Sequence, residues 1–583
     1  MGRLQQVALQ VVAVLLALAP AFSFRPVPVR VLAARRLQAS PSWPEEIKIS
    51  GVALGTVDGL RGIVASRDCG GDLVKSDPLV TVPGNLVFEV TNTRPPTPFP
   101  AFVSQSLWED SLWDQRLAFK LLHELKVVGL ANSDKAFWLE QLPKSYSTPL
   151  HWPDEVLSQE TQYPALRDKV LRQKAEWKSF YDRWMSEKAP DAVGAVTYQD
   201  YVQALECVNS RAFSGSYEGS NAGDRQSLLL FTGALTLAFP LLNFGTWEQS
   251  LSAAVAVGMS IVLKDFFFAK ASGLKRYVVC PYVDMFNHKS TVSSDVSYNY
   301  FSNVFELRTE AFSKGQQVFI SYGKQSNDRL MQFYGFCDCE NPFDVYDFGQ
   351  GILEVLLKFG DELPPIPAPG QGPERLKTIA AALRLTEVED ATVRGSKRDG
   401  AVLHADEVPV RFFRLAPQDQ QAGAGAGGGG AGGGVEAVLK AAAIRRGEGD
   451  AGTIARFDSV TARAVRALYA SPAEWQALIG ADGKIGNLEK LGAPLGAQTE
   501  ALLAQALRKL AKCELESKTT TIEQDLATLA QGKPSKGFKT PSSLAVGGGP
   551  PADPSGPFQD ALFAAISFRI EKKRLLLEAV GQN

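Results

Sequence analysis

Residues Val279 to Pro342 read VCPYVDMFNHKSTVSSDVSYNYFSNVFELRTEAFSKGQQVFISYGKQSNDRLMQFYGFCDCENP. Three pieces stand out: an Asn287-His288 pair after a short apolar run, a Ser321-Tyr322-Gly323 turn after Val318-Phe319-Ile320, and a closing Tyr334-Gly335-Phe336. The apolar triplet before Tyr322 reads as a strand, and Gly323 ends it, so the phenol sits where a strand end can open into a site. Taken singly, each piece has an ordinary explanation. Ser-Tyr-Gly is a strand-end tyrosine, Asn-His a turn with a satisfied core histidine, and Asp284 a cap or surface residue. Their order and spacing carry the information.

Working upstream, Ile47 to Glu89 alternates as short strands broken by glycines, centred on Gly59-Leu60-Arg61-Gly62-Ile63-Val64-Ala65. A hinge of Pro95, Pro96, Pro98 and Pro100 ends that pattern. Apolar residues then recur at helical spacing, first from Leu112 to Leu125 and again from Leu166 to Trp184, with Phe137-Trp138-Leu139 between. Asn209-Ser210-Arg211-Ala212-Phe213 closes this helical stretch. Residues 214–276 hold two apolar runs, Leu228 to Leu242 and Leu251 to Leu263, separated by Gly245-Thr246-Trp247-Glu248. Neither run reaches the roughly 20 residues of a spanning helix, and Pro240 interrupts the first. They read as either a self-packed hairpin or a membrane-touching one. Downstream of Pro342 the pattern is helical, with low-complexity loops at 421–434 and 532–557. Thr521 and Gln524 stand at the spacing of a capping box, which predicts a helix start.

In this order the motifs resemble a SET domain, and the helical stretch that interrupts it resembles the insert of the Rubisco large-subunit methyltransferase family. The resemblance covers about Ile47 to the end, apart from the hydrophobic insertion and the glycine loops. It implies an α+β fold: a split SET β-fold with a helical insert, followed by an all-α carboxy-terminal substrate-binding domain. The expected boundaries are 45–100 and 277–345 for the two SET parts, 101–213 for the insert, 214–276 for the hydrophobic insertion and 346–583 for the last domain.

The same resemblance implies S-adenosylmethionine as cofactor and a protein lysine as acceptor, with a histidine acceptor or a catalytically silent scaffold as the other readings. Tyr322 corresponds to the catalytic tyrosine. Leu60, Arg61, Gly62, Arg211, Asp284, Asn287, His288, Tyr322 and Phe336 would meet the cofactor; Ser210, Phe213, Asp284, Ile320 and Tyr334 would meet the substrate. Arg211 would pair with the cofactor's carboxylate or form a structural ion pair. Chemistry of this type needs a neutral amine, so a channel walled by uncharged aromatics such as Phe213, Tyr322, Tyr334 and Phe336 suits it. Lys289 departs from the family, which often has a small residue there.

The bulk composition narrows the partners. With 61 basic against 63 acidic residues there is no surplus for a polyanion, so nucleic acid is not expected as a partner. The six cysteines are scattered, and Cys337-x-Cys339 lacks the further ligands of a zinc site. Val7 to Ala21 is apolar behind Arg3 and ends at Ala19 and Ala21 in the manner of a secretory signal. From Phe22 to Pro44 no acidic residue occurs, while Arg25, Arg30, Arg35 and Arg36 do. Joined, residues 1–44 resemble the bipartite plastid address of algae with secondary plastids; plain secretion is the alternative.

Overall fold

The computed structural model describes residues 43–57, 60–91, 96–187, 196–215, 222–242, 244–262, 275–299, 302–339, 341–351, 363–367, 409–414, 443–445, 453–457, 459–480, 494–531 and 556–580, with isolated positions between 372 and 379 and between 483 and 491. The expected amino-terminal address up to residue 42, the loop 421–434 and residues 532–555 of the second loop lie outside the described residues.

The first strands are β1 (Lys48–Ile49), β2 (Val52–Val57), β3 (Leu60–Ala65), β4 (Val80–Pro83) and β5 (Phe88–Thr91). Their partners come from far along the chain: β6 (Ala212–Gly215), β7 (Arg276–Val279), β8 (Asn287–His288), β9 (Ser294–Asn299), β10 (Val304–Thr309) and β11 (Gln317–Ile320). Three small sheets result, in the orders β1-β4-β10-β9, β2-β3-β11-β8 and β5-β7-β6. Each contains strands from both sides of the helical interruption, so neither half has a complete sheet by itself. The alternation read from the sequence is visible at the β4–β10 pair, where Val80, Val82, Phe305 and Leu307 are buried and their neighbours are not.

Between the halves lie α1 (Trp113–His123) and α2 (Pro164–Glu187), at the positions that the helical spacing predicts, followed by α3 (Tyr198–Arg211). Their shared core is aromatic: Trp184 packs edge-on to Phe119 at 4.7 Å, and its indole N–H donates to the Phe102 carbonyl at 2.9 Å. A capping box starts α3, with Asp200 N donating to Thr197 Oγ1 at 3.1 Å and Thr197 N to Asp200 Oδ2 at 2.9 Å. That start sets the register that puts Arg211 in the last turn, where a cation also suits the helix dipole.

The hydrophobic insertion forms two helices, α4 (Ala222–Leu241) and α5 (Trp247–Val262). No helix among the described residues is long and apolar enough to cross a membrane. Next comes α6 (Asn327–Tyr334), capped by Ser326 and ended by Gly335 at φ 77°. Gly335 is the residue that needs left-handed backbone, since a Cβ there would also press on the Ser147 carbonyl at 3.3 Å.

After Pro342 the chain departs from the all-α expectation for residues 346–583. It opens on a four-stranded sheet, β12 (Val345–Gly351), β13 (Pro409–Arg414), β14 (Ala443–Arg445) and β15 (Thr453–Phe457), in the order β12-β13-β15-β14. These strands are short and separated by compositionally biased sequence, which leaves period-two alternation little length in which to register. Among the described residues that follow are the expected helices α7 (Ser459–Tyr469), α8 (Ala497–Glu516), α9 (Ile522–Gln531) and α10 (Gly556–Val580). The capping box predicted before α9 is formed, with Thr521 N donating to Gln524 Oε1 at 2.8 Å and Gln524 N to Thr521 Oγ1 at 3.3 Å. The overall class is α+β.

The α10 helix docks through buried charges. Lys572 Nζ lies 2.5 Å from Asp328 Oδ1 and 2.8 Å from Asp344 Oδ1, and donates to the Val345 carbonyl at 2.6 Å. Lys169 of α2 bridges Asp328 and Asp347, both at 3.0 Å. Arg569 grips Asp525 of α9 through two nitrogens, at 2.7 and 3.1 Å. The carboxy-terminal helix is thereby keyed to α6 and to the segment that follows it.

Candidate active site

The sheet β2-β3-β11-β8 gathers the three motifs. Strand β11 pairs antiparallel with β3, Val318 opposite Ile63, and parallel with β8, Phe319 opposite Asn287 and Ile320 opposite His288. Asn287 Nδ2 donates to the Arg61 carbonyl at 3.0 Å, closing the gap between β8 and β3. Gly62 leaves room for this approach: a Cβ there would meet the Gln317 side-chain amide and sit 2.7 Å from Asn287 Nδ2, so both amides would have to move. Leu60 enters through its backbone, which pairs with Val57.

Tyr322 follows β11 directly. Its hydroxyl donates to the Phe286 carbonyl at 2.7 Å, and its backbone N–H donates to His288 Nδ1 at 3.0 Å. Because Nδ1 accepts, the neutral ring carries its proton on Nε2. Burial lowers the His288 pKa against the opposing pull of Asp338, which keeps that ring neutral. Burial also pushes the Tyr322 phenol up, with Tyr334 adding to the effect, so it stays protonated.

Three of the four aromatic residues from the sequence reading, Tyr322, Tyr334 and Phe336, form a continuous wall with His288. Tyr322 stacks on His288 at 4.8 Å and on Tyr334 at 5.0 Å, and Tyr334 meets Phe336 edge-on at 6.0 Å. The α6 helix with its Gly335 end is what brings Tyr334 and Phe336 to this wall. Ile320 is fully buried beneath it. Phe213 lies on the neighbouring sheet, opposite Val278.

Arg211 and Asp284 form the charged part. Arg211 Nη1 donates to Asp284 Oδ2 at 2.8 Å and to the Asp284 carbonyl at 3.1 Å. Of the two partners that the sequence left open for Arg211, a cofactor carboxylate or a structural ion pair, the chain itself supplies the second. Burial works against the guanidinium charge, but Asp284, Tyr146 and Cys207 outweigh it and its pKa rises. Arg61, by contrast, is lowered by burial and by repulsion from Arg211. Its guanidinium faces the insert, donating to the Gln141 carbonyl at 3.1 Å and to Gln141 Oε1 at 3.0 Å. Ser210 spends its hydroxyl within α3, on the Glu206 carbonyl at 2.7 Å.

Three contributors were not legible beforehand. Trp138 donates its indole N–H to Asp284 Oδ2 at 2.9 Å across 146 residues of sequence, Gln141 holds Arg61, and the Phe286 carbonyl anchors Tyr322. Trp138 and Gln141 belong to the helical insert, and no spacing rule links an insert to a strand end that far away. Asp284 Oδ1 is buried and has no hydrogen-bond partner in the chain, an acceptor left for something else. The turn into Asp284 is strained, since Tyr282 takes φ 69° and ψ −43°.

No family model matches the chain. SET domain-containing protein 4 of Homo sapiens is 37% identical over 85 residues, 14% of this chain and 19% of that protein. The ribosomal lysine N-methyltransferase set10 of Schizosaccharomyces pombe is 22% identical over 213 residues, 36% of this chain and 29% of that protein. The crystal structure of the SET domain of LSMT bound to lysine and AdoHcy aligns with a TM-score of 0.48 at 15% identity, over 91% of this chain and 86% of that one. The chain thus spans under a third of the length of these curated relatives. Over these stretches the chain is similar in sequence to SET-domain proteins, and its motif order and interleaved sheets fit that likeness.

Proposed function

We propose that this protein is an S-adenosylmethionine-dependent protein-lysine N-methyltransferase acting on a non-histone, plastid protein. One observation carries the reading: Tyr322, with its hydroxyl tied to the Phe286 carbonyl, joins the aromatic wall where the charges of the buried Arg211–Asp284 pair also act on its phenol. Two matched relatives support the reaction class by their names, the set10 enzyme and the protein-lysine N-methyltransferase EFM1 of Saccharomyces cerevisiae, 29% identical over 142 residues.

The residues fit the cofactor. A buried, partnerless carboxylate oxygen such as Asp284 Oδ1 suits a cationic ligand, and S-adenosylmethionine carries an ammonium and a sulfonium. Arg211, Asp284, Asn287, His288 and the backbone of Leu60 to Gly62 would hold it. When bound, it supplies a methyl group on an electrophilic sulfonium.

The chain's own residues do the rest. Because the Tyr322 O–H is engaged, its oxygen lone pairs are left to accept from an amine or from polarised C–H groups. A phenol whose pKa is raised is no general base, so Tyr322 orients rather than deprotonates. Tyr322, Tyr334 and Phe336 exclude water, and a desolvated lysine, with its ordinary pKa near ~10.4, gives up its proton more readily.

Calorimetry should give saturable binding of S-adenosylmethionine by the purified chain. Incubation with labelled cofactor and a plastid extract should then mark lysine in one or a few proteins by mass spectrometry. Binding without transfer would favour a silent scaffold, and label on histidine would change the acceptor. As to location, residues 1–44 fused to a fluorescent protein should deliver it to the plastid of an alga with secondary plastids; export to the medium would instead indicate ordinary secretion.

A further inference from the structure

The stretch between β6 and β7 takes no part in the site, yet its polarity is inverted for a water-facing hairpin. Its large apolar side chains point outward: Leu241 is 71% exposed and Leu251 62%, with Leu237, Phe239, Val255 and Met259 exposed as well. The α4–α5 seam is small and polar, with Ser250 only 5% exposed and its Oγ donating to the Thr236 carbonyl at 2.6 Å. A helix pair in water buries its leucines and shows its serines. In lipid the order reverses, because acyl chains give no hydrophobic drive between helices and small residues let them approach.

The apolar surface is not one face that a protein groove would cover. Leu235 and Leu237, both exposed, lie about 200° apart at about 100° per residue. Between Gln226 and Leu263 the one charged residue is Glu248, at the tip beside the exposed Trp247. The 16-residue α5 rises about 24 Å, short of a hydrocarbon core of about 30 Å, and α4 contains Pro240. Both ends of the excursion are held together by the pairing of Gly215 with Arg276, so the chain leaves and returns at one place on the domain.

We propose that the α4–α5 hairpin is a monotopic lipid-binding element. It lies in one leaflet, with its apolar flanks among the acyl chains and the Trp247–Glu248 tip at the level of the headgroups. The inference goes beyond methyl transfer and stands whether or not the site is active.

The test is flotation of the full chain with neutral phosphatidylcholine vesicles, compared with a Leu237→Asp, Leu251→Asp double variant. Both chains keep the amino-terminal apolar run, so the fall is read as the difference in bound fraction between them, in which that shared contribution cancels. The vesicle-bound fraction should fall at least tenfold in the variant, with the thermal midpoint unchanged because both side chains face outward. A milder Leu241→Ser, Val255→Ser pair should give a smaller loss in the same direction. Equal flotation of parent and variants, no flotation of the parent, or binding confined to anionic vesicles would each overturn the proposal. So would a parent dimer that the double variant dissociates without any binding to vesicles, since a second copy would then cover the hairpin.

Discussion

Replacing Tyr322 with phenylalanine is expected to slow methyl transfer about a hundredfold or more while changing the cofactor dissociation constant by less than about threefold. The variant keeps the ring that stacks on His288 and Tyr334 and removes only the hydroxyl bonded to the Phe286 carbonyl. A misplacement of about 1 Å at a reacting centre costs about a hundredfold, and loss of one preorganised polar contact costs a similar amount or more. Stability should drop only by about 1 kcal/mol, the net worth of one neutral hydrogen bond. Single-turnover transfer with saturating cofactor isolates the effect, and undiminished turnover would remove Tyr322 from the mechanism. Since burial holds the phenol protonated, the pH–rate profile of the parent should show no limb from Tyr322 near neutral pH.

The second large effect is structural. Lys572→Met should destabilise the carboxy-terminal lobe by about 3–5 kcal/mol, because it leaves Asp328 and Asp344 buried with less compensation. Adding Asp344→Asn should recover part of the loss, and the double-mutant cycle measures the coupling. Thermal unfolding combined with limited proteolysis around β12 and α10 reads it out; an unchanged midpoint in the single variant would show that the charges contribute nothing net.

The pH dependence has a definite sign. Burial opposes the Asp328 charge, but Lys169 and Lys572 outweigh it and hold its pKa below the ordinary value. A depressed folded pKa means that this stabilisation is present above the unfolded pKa near ~3.9 and is lost as pH falls through the folded value. For Lys572 burial likewise opposes the charge, Asp328 and Asp344 outweigh it, and the pKa is raised. Its contribution is complete below an unfolded pKa near ~10.4 and is lost as pH rises through the folded value. Lobe docking should therefore hold across neutral pH and weaken in strong acid and strong alkali.

The lobe also shows where a sequence misleads. Arg569-Ile570-Glu571-Lys572-Lys573 carries four charges in five residues, yet Arg569, Glu571, Lys572 and Lys573 are all buried. The carboxylates that compensate the three cations, Asp525, Asp344 and Asp328, lie between 44 and 244 residues away along the chain. Charge patterning along one segment says nothing about such partners.

Local rules governed what the sequence determined by itself. Strand patterns placed β4 and β11, helical spacing placed α1 and α2, and the Thr521–Gln524 spacing placed the start of α9, because each depends on residues within one or two turns. The ordered motifs around Asn287, Tyr322 and Tyr334 carried the family resemblance on which the proposed chemistry rests. Tertiary structure alone decided that Arg211 pairs with Asp284, that Trp138 and Gln141 complete the site from the insert, and that the insertion's leucines face outward. These outcomes depend on which distant groups share a buried space, where every charge and polar atom must find a partner.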